Sequence, residues 1–303
     1  MAGLVLFLLP FNIAATETKG WHSPSIIAMI VIGIVLLILF PFYEKFVAPK
    51  SFIPWGLLID RTVGGACLTY FAIFISFYCW DLYLLAFLEV VYQLSIKDAG
   101  YVASIYTIGS CFWGVVVGIL IRYTNRYKWL GLCAVPVYIL GSALMIYFRS
   151  PGQLINYIIM CQIFIAFAGG TLVVCVQIAA LAAGTHGTAA MVLALLSLSS
   201  QIGGAVGDTI AGAIWQNTFL KYLTSRLPAS AQAEALTIYA SVVTQLTYKW
   251  GTPTRDAINY AYAESMRDMC IASTCVCIFV FVSVWMWRDI KLGNKKQVKG
   301  NVL

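Results

Sequence analysis

The chain has 303 residues, 61% of them hydrophobic and only 10% charged, with a formal net charge of +7 and a mean hydropathy of +0.87. A soluble domain carries about 25% charged residues, so a hydrated surface wrapped around one core is excluded. The class to expect is an all-α membrane protein, and the surplus of cations concerns membrane orientation, not nucleic-acid binding.

In a bilayer, about 18–25 apolar residues at 1.5 Å rise cross about 30 Å of hydrocarbon. The first apolar piece, "MAGLVLFLLPFNIAA" at 1–15, lacks a basic start, is interrupted by Pro10 and is followed by no small-residue cleavage site. It reads as the end of another membrane helix, not as a signal peptide. Full spans are expected near 25–43, 63–88, 100–121, 130–148, 153–180, 188–219 and 266–287. Long spans with mostly short gaps exclude a β-barrel, whose strands alternate over about 10 residues.

Lys and Arg concentrate in loops that remain cytoplasmic. The gap 122–129 holds Arg122, Arg126 and Lys128 and no acid, which places it inside. Counting spans both ways puts 44–62 inside, with Lys45, Lys50 and Arg61, and also the tail with Arg288, Lys291, Lys295, Lys296 and Lys299. The gap 181–187 also falls inside but has no Lys or Arg. The outer gaps 16–24, 89–99 and 149–152 hold one cation each, Lys19, Lys97 and Arg149. The long gap 220–265 falls outside and mixes Lys221, Arg226, Lys249 and Arg255 with Glu234, Asp256 and Glu264.

The segment 63–90 is the richest in candidate chemistry. At helical steps of three and four, Tyr70, Phe74, Phe77 or Tyr78, and Asp81 share one face. A carboxylate within a span costs about 2.5–3.5 kcal/mol on insertion scales, so it faces a wet cavity or a partner. Asp81 lies about 30 Å along the helix from Arg61, near the outer mouth. It is either an entrance carboxylate for substrate or proton, or an interfacial Asp with Tyr78, Trp80 and Tyr83 as an aromatic belt. Glu89 reads as interfacial. Asp208 sits in "QIGGAVGDTIAGAIW", where Gly203, Gly204, Gly207 and Gly212 suit close helix packing. It faces the cavity or bonds a neighbouring helix.

Gln162, Gln177 and Gln201 are amides within spans, able to bind substrate or to stitch helices. Gly169 and Gly170 are candidates for flexible backbone near midplane. Trp113 and Tyr106 are cavity aromatics or lipid-facing packing. The long outer gap carries Tyr222, Tyr239, Tyr248, Trp250 and Tyr260, aromatic side chains able to cover a bulky ligand. Within it, "SAQAEALTIYASVVTQL" has the spacing of an amphipathic helix over the mouth. The nine cysteines read as small apolar fillers. His22 and His186 have no second ligand nearby, so no metal site is expected. No Gly-Lys-Ser/Thr phosphate loop occurs, and no cofactor is expected. Nothing in the sequence suggests an enzyme.

Gly118 with the basic loop after it resembles a degenerate form of the major facilitator loop motif, with Arg122 where an Asp stands in that motif and Asn125 where its second Gly stands. More specifically, "DRTVGGACLTYF", "YCWDLYLLAFLEVVYQLSIKDAGYV", "MCQIFIAFAGGTLVVCVQIAALAA", "IGGAVGDTIAGAIWQNTF" and "LTYKWGTPTRDAINYAYAESMRDM" are similar to the fungal siderophore–iron transporters of that superfamily. The resemblance implies a fourteen-helix parent: six helices, two linker helices, then six. On that map 1–62 is the linker pair with a cytoplasmic connection, 63–287 the C-terminal bundle with outer loop 220–265, and 288–303 a basic cytoplasmic tail. The first six helices are absent. Asp208 departs from the pattern, which has a small residue there.

The resemblance further implies proton-coupled uptake of ferric siderophores by alternating access, in the plasma membrane or an endosomal or vacuolar membrane. A siderophore carries its iron in an organic shell, so the protein binds the shell and needs no metal ligands. Tyr70, Phe74, Tyr78, Asp81, Trp113, Gln162 and Gln201 are the expected substrate contacts, Asp81 and Asp208 the proton carriers, and Tyr248, Trp250 and Tyr260 the gate. A drug or toxin exporter of the same superfamily is the nearest alternative, and the loop with "YKWGTPTRDAINYAYAESM" argues against it. A truncated membrane protein that transports nothing is another alternative.

The topology has a direct test by single-cysteine labelling in a Cys-less background. A cysteine at Thr124 should resist an impermeant reagent applied to intact cells when the protein is in the plasma membrane. Labelling there from outside would reverse the orientation.

Overall fold

The computed structural model describes residues 2–13, 22–46, 56, 59–184 and 186–292. Among them there are helices and turns and no strand. Two apolar helices lead: α1, Ala2–Ile13, and α2, Pro24–Phe46. A bundle follows, of α3 (Arg61–Asp81), α4 (Leu84–Val91), α5 (Ile96–Thr124), α6 (Lys128–Phe148), α7 (Ile155–Ala183), α8 (Ala189–Arg226), the short α9 (Ala235–Ala240) and α10 (Val242–Thr247), and α11 (Pro253–Trp285). Among the described residues, the bundle supplies six membrane-length apolar spans when α3 and α4 are taken together. The cations Lys19, Lys50, Lys295, Lys296 and Lys299 lie outside the described residues.

Local chemistry sets the helix starts. Asp60 caps α3, its carboxylate accepting from the Thr62 amide at 2.8 Å. Ser95 caps α5, accepting from the Asp98 amide at 3.1 Å while its hydroxyl donates to the Asp98 carboxylate at 2.7 Å. Asn125 ends α5 in the left-handed region, with φ 53°.

Three expectations are corrected. The last span begins at Pro253, not 266, and α8 runs on to Arg226, so the connection between them is 227–252. Arg255, Asp256, Glu264, Arg267 and Asp268 lower the hydropathy of the first half of α11. Its start is instead set by Thr252, which accepts from the Arg255 amide at 3.3 Å, and by Pro253 in the first turn. Tyr260 consequently stands on a helix. Second, the span 63–88 is not continuous. It breaks at Leu82–Tyr83, where Tyr83 stacks on Trp215 with ring centroids 4.2 Å apart. Third, the expected amphipathic helix over 230–246 forms as a 3₁₀ turn, Ala229–Glu234, then α9 and α10, interrupted at Ser241, which is extended and caps α10.

The Gly-dense stretch of α8 packs against α3. A Cβ at Gly203 would lie 2.4 Å from the Phe71 carbonyl oxygen, and one at Gly207 2.8 Å from that of Ile75. Gly170 plays the same part between α7 and α5, where a Cβ would meet the Ser110 carbonyl at 2.7 Å. Gly169 and Gly170 are thus contact points in an unbroken helix, not places where it loosens. Buried hydroxyls join the helices: Thr69 donates to Ser283 at 2.8 Å, and Ser76 and Ser273 share a bond of 2.8 Å.

The basic gap now has a structural role. Lys128 donates to the carbonyls of Trp285 and Trp287 at the C-terminal end of α11, where a cation meets unpaired carbonyls and the negative helix end. Tyr127 donates to the Arg288 carbonyl at 2.5 Å. Arg126 pairs with Asp289 at 3.4 Å and Arg288 with Asp60 at 3.2 Å. The gap after α5, the segment before α3 and the segment after α11 therefore meet at one end of the bundle, as the expected topology requires.

Gly203→Ala should destabilise the bundle by about 1–3 kcal/mol through overpacking, because the neighbour is backbone. Gly118→Ala has no heavy atom within 4 Å of its new Cβ and should leave the melting midpoint of the detergent-solubilised protein unchanged or slightly raised. Equal midpoints for the two variants would refute this packing.

Candidate substrate-facing site

The opposite end of the bundle gathers most of the candidate residues. Along α3 the aromatic rings form a ladder. Tyr70 meets Phe74 edge to face at 5.7 Å, Phe74 and Tyr78 stack at 6.4 Å, and Phe77 meets both Tyr78 and Trp80 at 5.2 Å. Tyr106 of α5 stacks on Phe77 at 4.5 Å. Tyr70 is buried and donates to the Val173 carbonyl of α7 at 3.3 Å, and its hydroxyl also interacts with Gln177. Phe74 and Tyr78 stay half-buried.

Asp81 is the last residue of α3, directly before the break, and is half-buried. Asp208 of α8 and Arg149 lie within electrostatic reach of it. The Asp208 Oδ1 is buried and has no protein partner, so Asp208 does not stitch a helix through that atom. Interhelical stitching does not describe Gln162 either. It is 0% exposed, and neither of its amide atoms has a protein partner. Gln201 is exposed on α8. Trp113 is not brought to this cluster. It donates to Thr171 at 3.0 Å, packs on Phe167 at 4.6 Å, and lines a separate groove of about 210 Å³ with Cys133, Ala134 and Val137 of α6.

Two buried arginines belong to this end, and the sequence had offered both only as loop cations. Arg149 is 1% exposed and donates to the Trp80 carbonyl at 3.0 Å. Arg255, equally buried, donates to the Gln245 carbonyl at 2.6 Å and to the Val90 carbonyl at 2.5 Å. Gln245, buried on α10, accepts from the Tyr262 hydroxyl at 2.8 Å and donates to the Ile238 carbonyl at 2.8 Å. Residues 227–252 are thereby fastened to α4 and α11. The sequence carried one usable signal for Arg255, the Thr-Pro start that places it in the first turn of a helix. Arg149 carried none, since an arginine ending an apolar run before Ser-Pro looks like any loop cation.

The aromatic residues expected to form the gate are spread over residues 227–252 and the start of α11. Tyr248 donates to the Glu234 carboxylate at 2.6 Å, which holds its hydroxyl above its ordinary pKa. Trp250 is exposed, with the Arg255 guanidinium 5.8 Å from its ring centroid. Tyr260 is covered by the Arg226 guanidinium at 3.6 Å.

Six apolar membrane-length helices, with a half-buried aromatic and carboxylate cluster at one end, define a multi-pass membrane protein. Its fold is similar to that of a bacterial homolog of the human lysosomal transporter Spinster in an inward-facing and occupied conformation. The TM-score is 0.53 at 16% identity, covering 94% of this chain and 66% of that one. No protein-family model matches. The chain is 49% identical over 303 residues to MFS siderochrome iron transporter 1 of Ajellomyces capsulatus, covering 100% of this chain and 52% of the relative. It is 51% identical over 301 residues to MFS siderochrome iron transporter D of Aspergillus fumigatus, covering 99% and 50%. Over the half of them that it spans, the chain is similar to fungal siderochrome iron transporters of the major facilitator superfamily. It spans about half the length of the curated relatives that it matches.

Arg255→Met should orphan the Val90 and Gln245 carbonyls at about 1–3 kcal/mol each. The expected result is faster proteolytic cleavage within 227–252, with the six long helices still protected. Unchanged cleavage would show that Arg255 does not fasten the segment.

Proposed function

We propose that this chain forms the C-terminal six-helix half, with two linker helices, of a carrier that imports ferric siderophores by alternating access. The observation that carries this reading is the identity of about one residue in two, along the whole chain, to siderochrome iron transporters. The relatives are named as transporters, and no enzymatic step is assigned to this chain. In this reading the half-buried rings of Phe74 and Tyr78 and the carboxylate of Asp81 meet the organic shell of the siderophore. Asp81 and Asp208 serve proton coupling, and the covering segment 227–252 with Tyr260 acts as the outer gate. The basic end faces the cytosol, in a plasma, endosomal or vacuolar membrane.

A second six-helix bundle completes the carrier, because alternating access rocks one bundle against another around a site between them. The surface of α5 is consistent with such a partner: Ile108, Phe112 and Val115 are 67–70% exposed on one apolar helix. Residues 1–303 alone should therefore not transport.

The test expresses this chain in a fungal strain lacking siderophore uptake, alone and joined to the N-terminal half of a relative. Only the joined form should accumulate radio-iron siderophore above the empty vector. In it, Asp81→Asn should reduce uptake at least tenfold at matched expression, and Glu89→Gln less than twofold. Deleting 232–247 should cut uptake while surface expression is kept. Saturable, uncoupler-sensitive uptake by residues 1–303 alone would remove the need for a second bundle. Full uptake by Asp81→Asn across pH would remove Asp81 from the mechanism.

A further inference from the structure

We propose that Arg149 is the internal counter-ion of Asp81, a positioning residue that latches the end of α6 to the end of α3 beside the helix break. This role rests on Asp81 belonging to the site described above.

Arginine stays protonated in proteins, and Arg149 is 1% exposed, so its charge needs compensation within the protein. Its immediate partners supply little. The Trp80 carbonyl at 3.0 Å is a neutral acceptor, and the Met145 sulfur at 3.3 Å and the Cys270 sulfur are weak ones. The Trp80 ring, with the guanidinium 5.0 Å from its centroid, adds a quadrupole but no charge. The residue bonded to Trp80 is Asp81. Arg149 is a cation in electrostatic reach of that carboxylate, and Asp208 is a second carboxylate there. The two side chains stand in electrostatic reach without a direct ion pair.

Two further observations concern unpaired donors and the helix end. Arg149 Nε and the Trp80 indole N–H are both buried, and neither has a protein partner. A carboxylate has lone pairs for both. The break at Leu82–Tyr83 follows Asp81 immediately, so the Asp81 backbone lies at the end of the α3 hydrogen-bond ladder. Arg149 thus ties α6 to the turn of α3 that presents Asp81, by a bond to the preceding carbonyl and by its field.

The test is a double-mutant cycle on the full chain, extracted from membranes and read by melting midpoint and by folded fraction on size exclusion. Arg149→Gln and Asp81→Asn should each lower the midpoint. The double variant should melt above Arg149→Gln, since it no longer carries an uncompensated carboxylate. Arg149→Lys, which keeps the charge, should melt above Arg149→Gln when Asp81 is present and lose that advantage in the Asp81→Asn background. Losses that simply add, or a lysine advantage that persists without Asp81, would overturn the proposal and leave Arg149 a structural anchor of the Trp80 carbonyl. If Arg149→Gln does not fold, a folded double variant supports the pair and an unfolded one overturns it. Uptake does not enter these readouts, so the transport reading and the latch can fail separately.

Discussion

Hydrocarbon offers no hydrogen bonds, and each polar group placed in it must find a partner within the protein. The backbone meets that constraint by forming helices. Apolar side chains gain little from leaving lipid for one another, so the helices are held by close approach and by buried polar pairs. The contacts between α3 and α8 follow from this. Gly203 and Gly207 admit the Phe71 and Ile75 carbonyls at distances that no Cβ would allow. The hydroxyls of Thr69, Ser76, Ser273 and Ser283 pair across α3 and α11 instead of facing lipid.

The same constraint divides the bundle into two unlike ends. At the basic end, charge is spent on cross-links. Lys128 caps the last carbonyls of α11, and Arg126 and Arg288 pair with Asp289 and Asp60. These contacts bind three chain segments that are far apart in sequence. At the opposite end α3 is interrupted, Asp81 is half-buried, and buried polar atoms of Trp80, Arg149, Gln162 and Asp208 have no protein partner. Polar groups with unmet capacity at the end of a broken helix are suited to binding. The cross-linked network at the other end is suited to holding geometry.

Much of this architecture was legible in the sequence because membrane helices are written as long apolar runs, and the cation count fixed which gaps share an end. The central turns of each span agree with the expected positions. What failed were the places where amphiphilic helix extends beyond hydrocarbon. The first half of α11 reads as a loop by hydropathy, although Thr252 and Pro253 announce its start. The site was legible in part. The period of three and four put Tyr70, Phe74, Tyr78 and Asp81 on one line, and they occupy it. Trp113 had the right residue type, but its helix turns it toward Phe167 and Thr171 of α7, and a single helix's periodicity does not say which neighbour each face meets. Arg149 and Arg255 were hidden for a related reason: a charged residue is read as solvated until tertiary contacts show a carbonyl or a ring beside it.

The break beside Asp81 also links the aromatic face to residues 227–252. Arg255 donates to the Val90 carbonyl, near the C-terminal end of α4, and to the Gln245 carbonyl within 227–252. Residues 227–252 are therefore fastened to α4, and the chain passes from α3 to α4 through Leu82 and Tyr83. Any change of angle at that junction moves the Val90 carbonyl, and the Arg255 bonds carry the change into residues 227–252. Tyr83 holds the junction by stacking on Trp215, which in turn stacks on Phe219 at 4.2 Å and meets Tyr262 edge to face at 5.1 Å. Tyr262 donates to Gln245. Two routes, one through backbone carbonyls and one through stacked rings, thus run from the residues flanking Asp81 to the same glutamine.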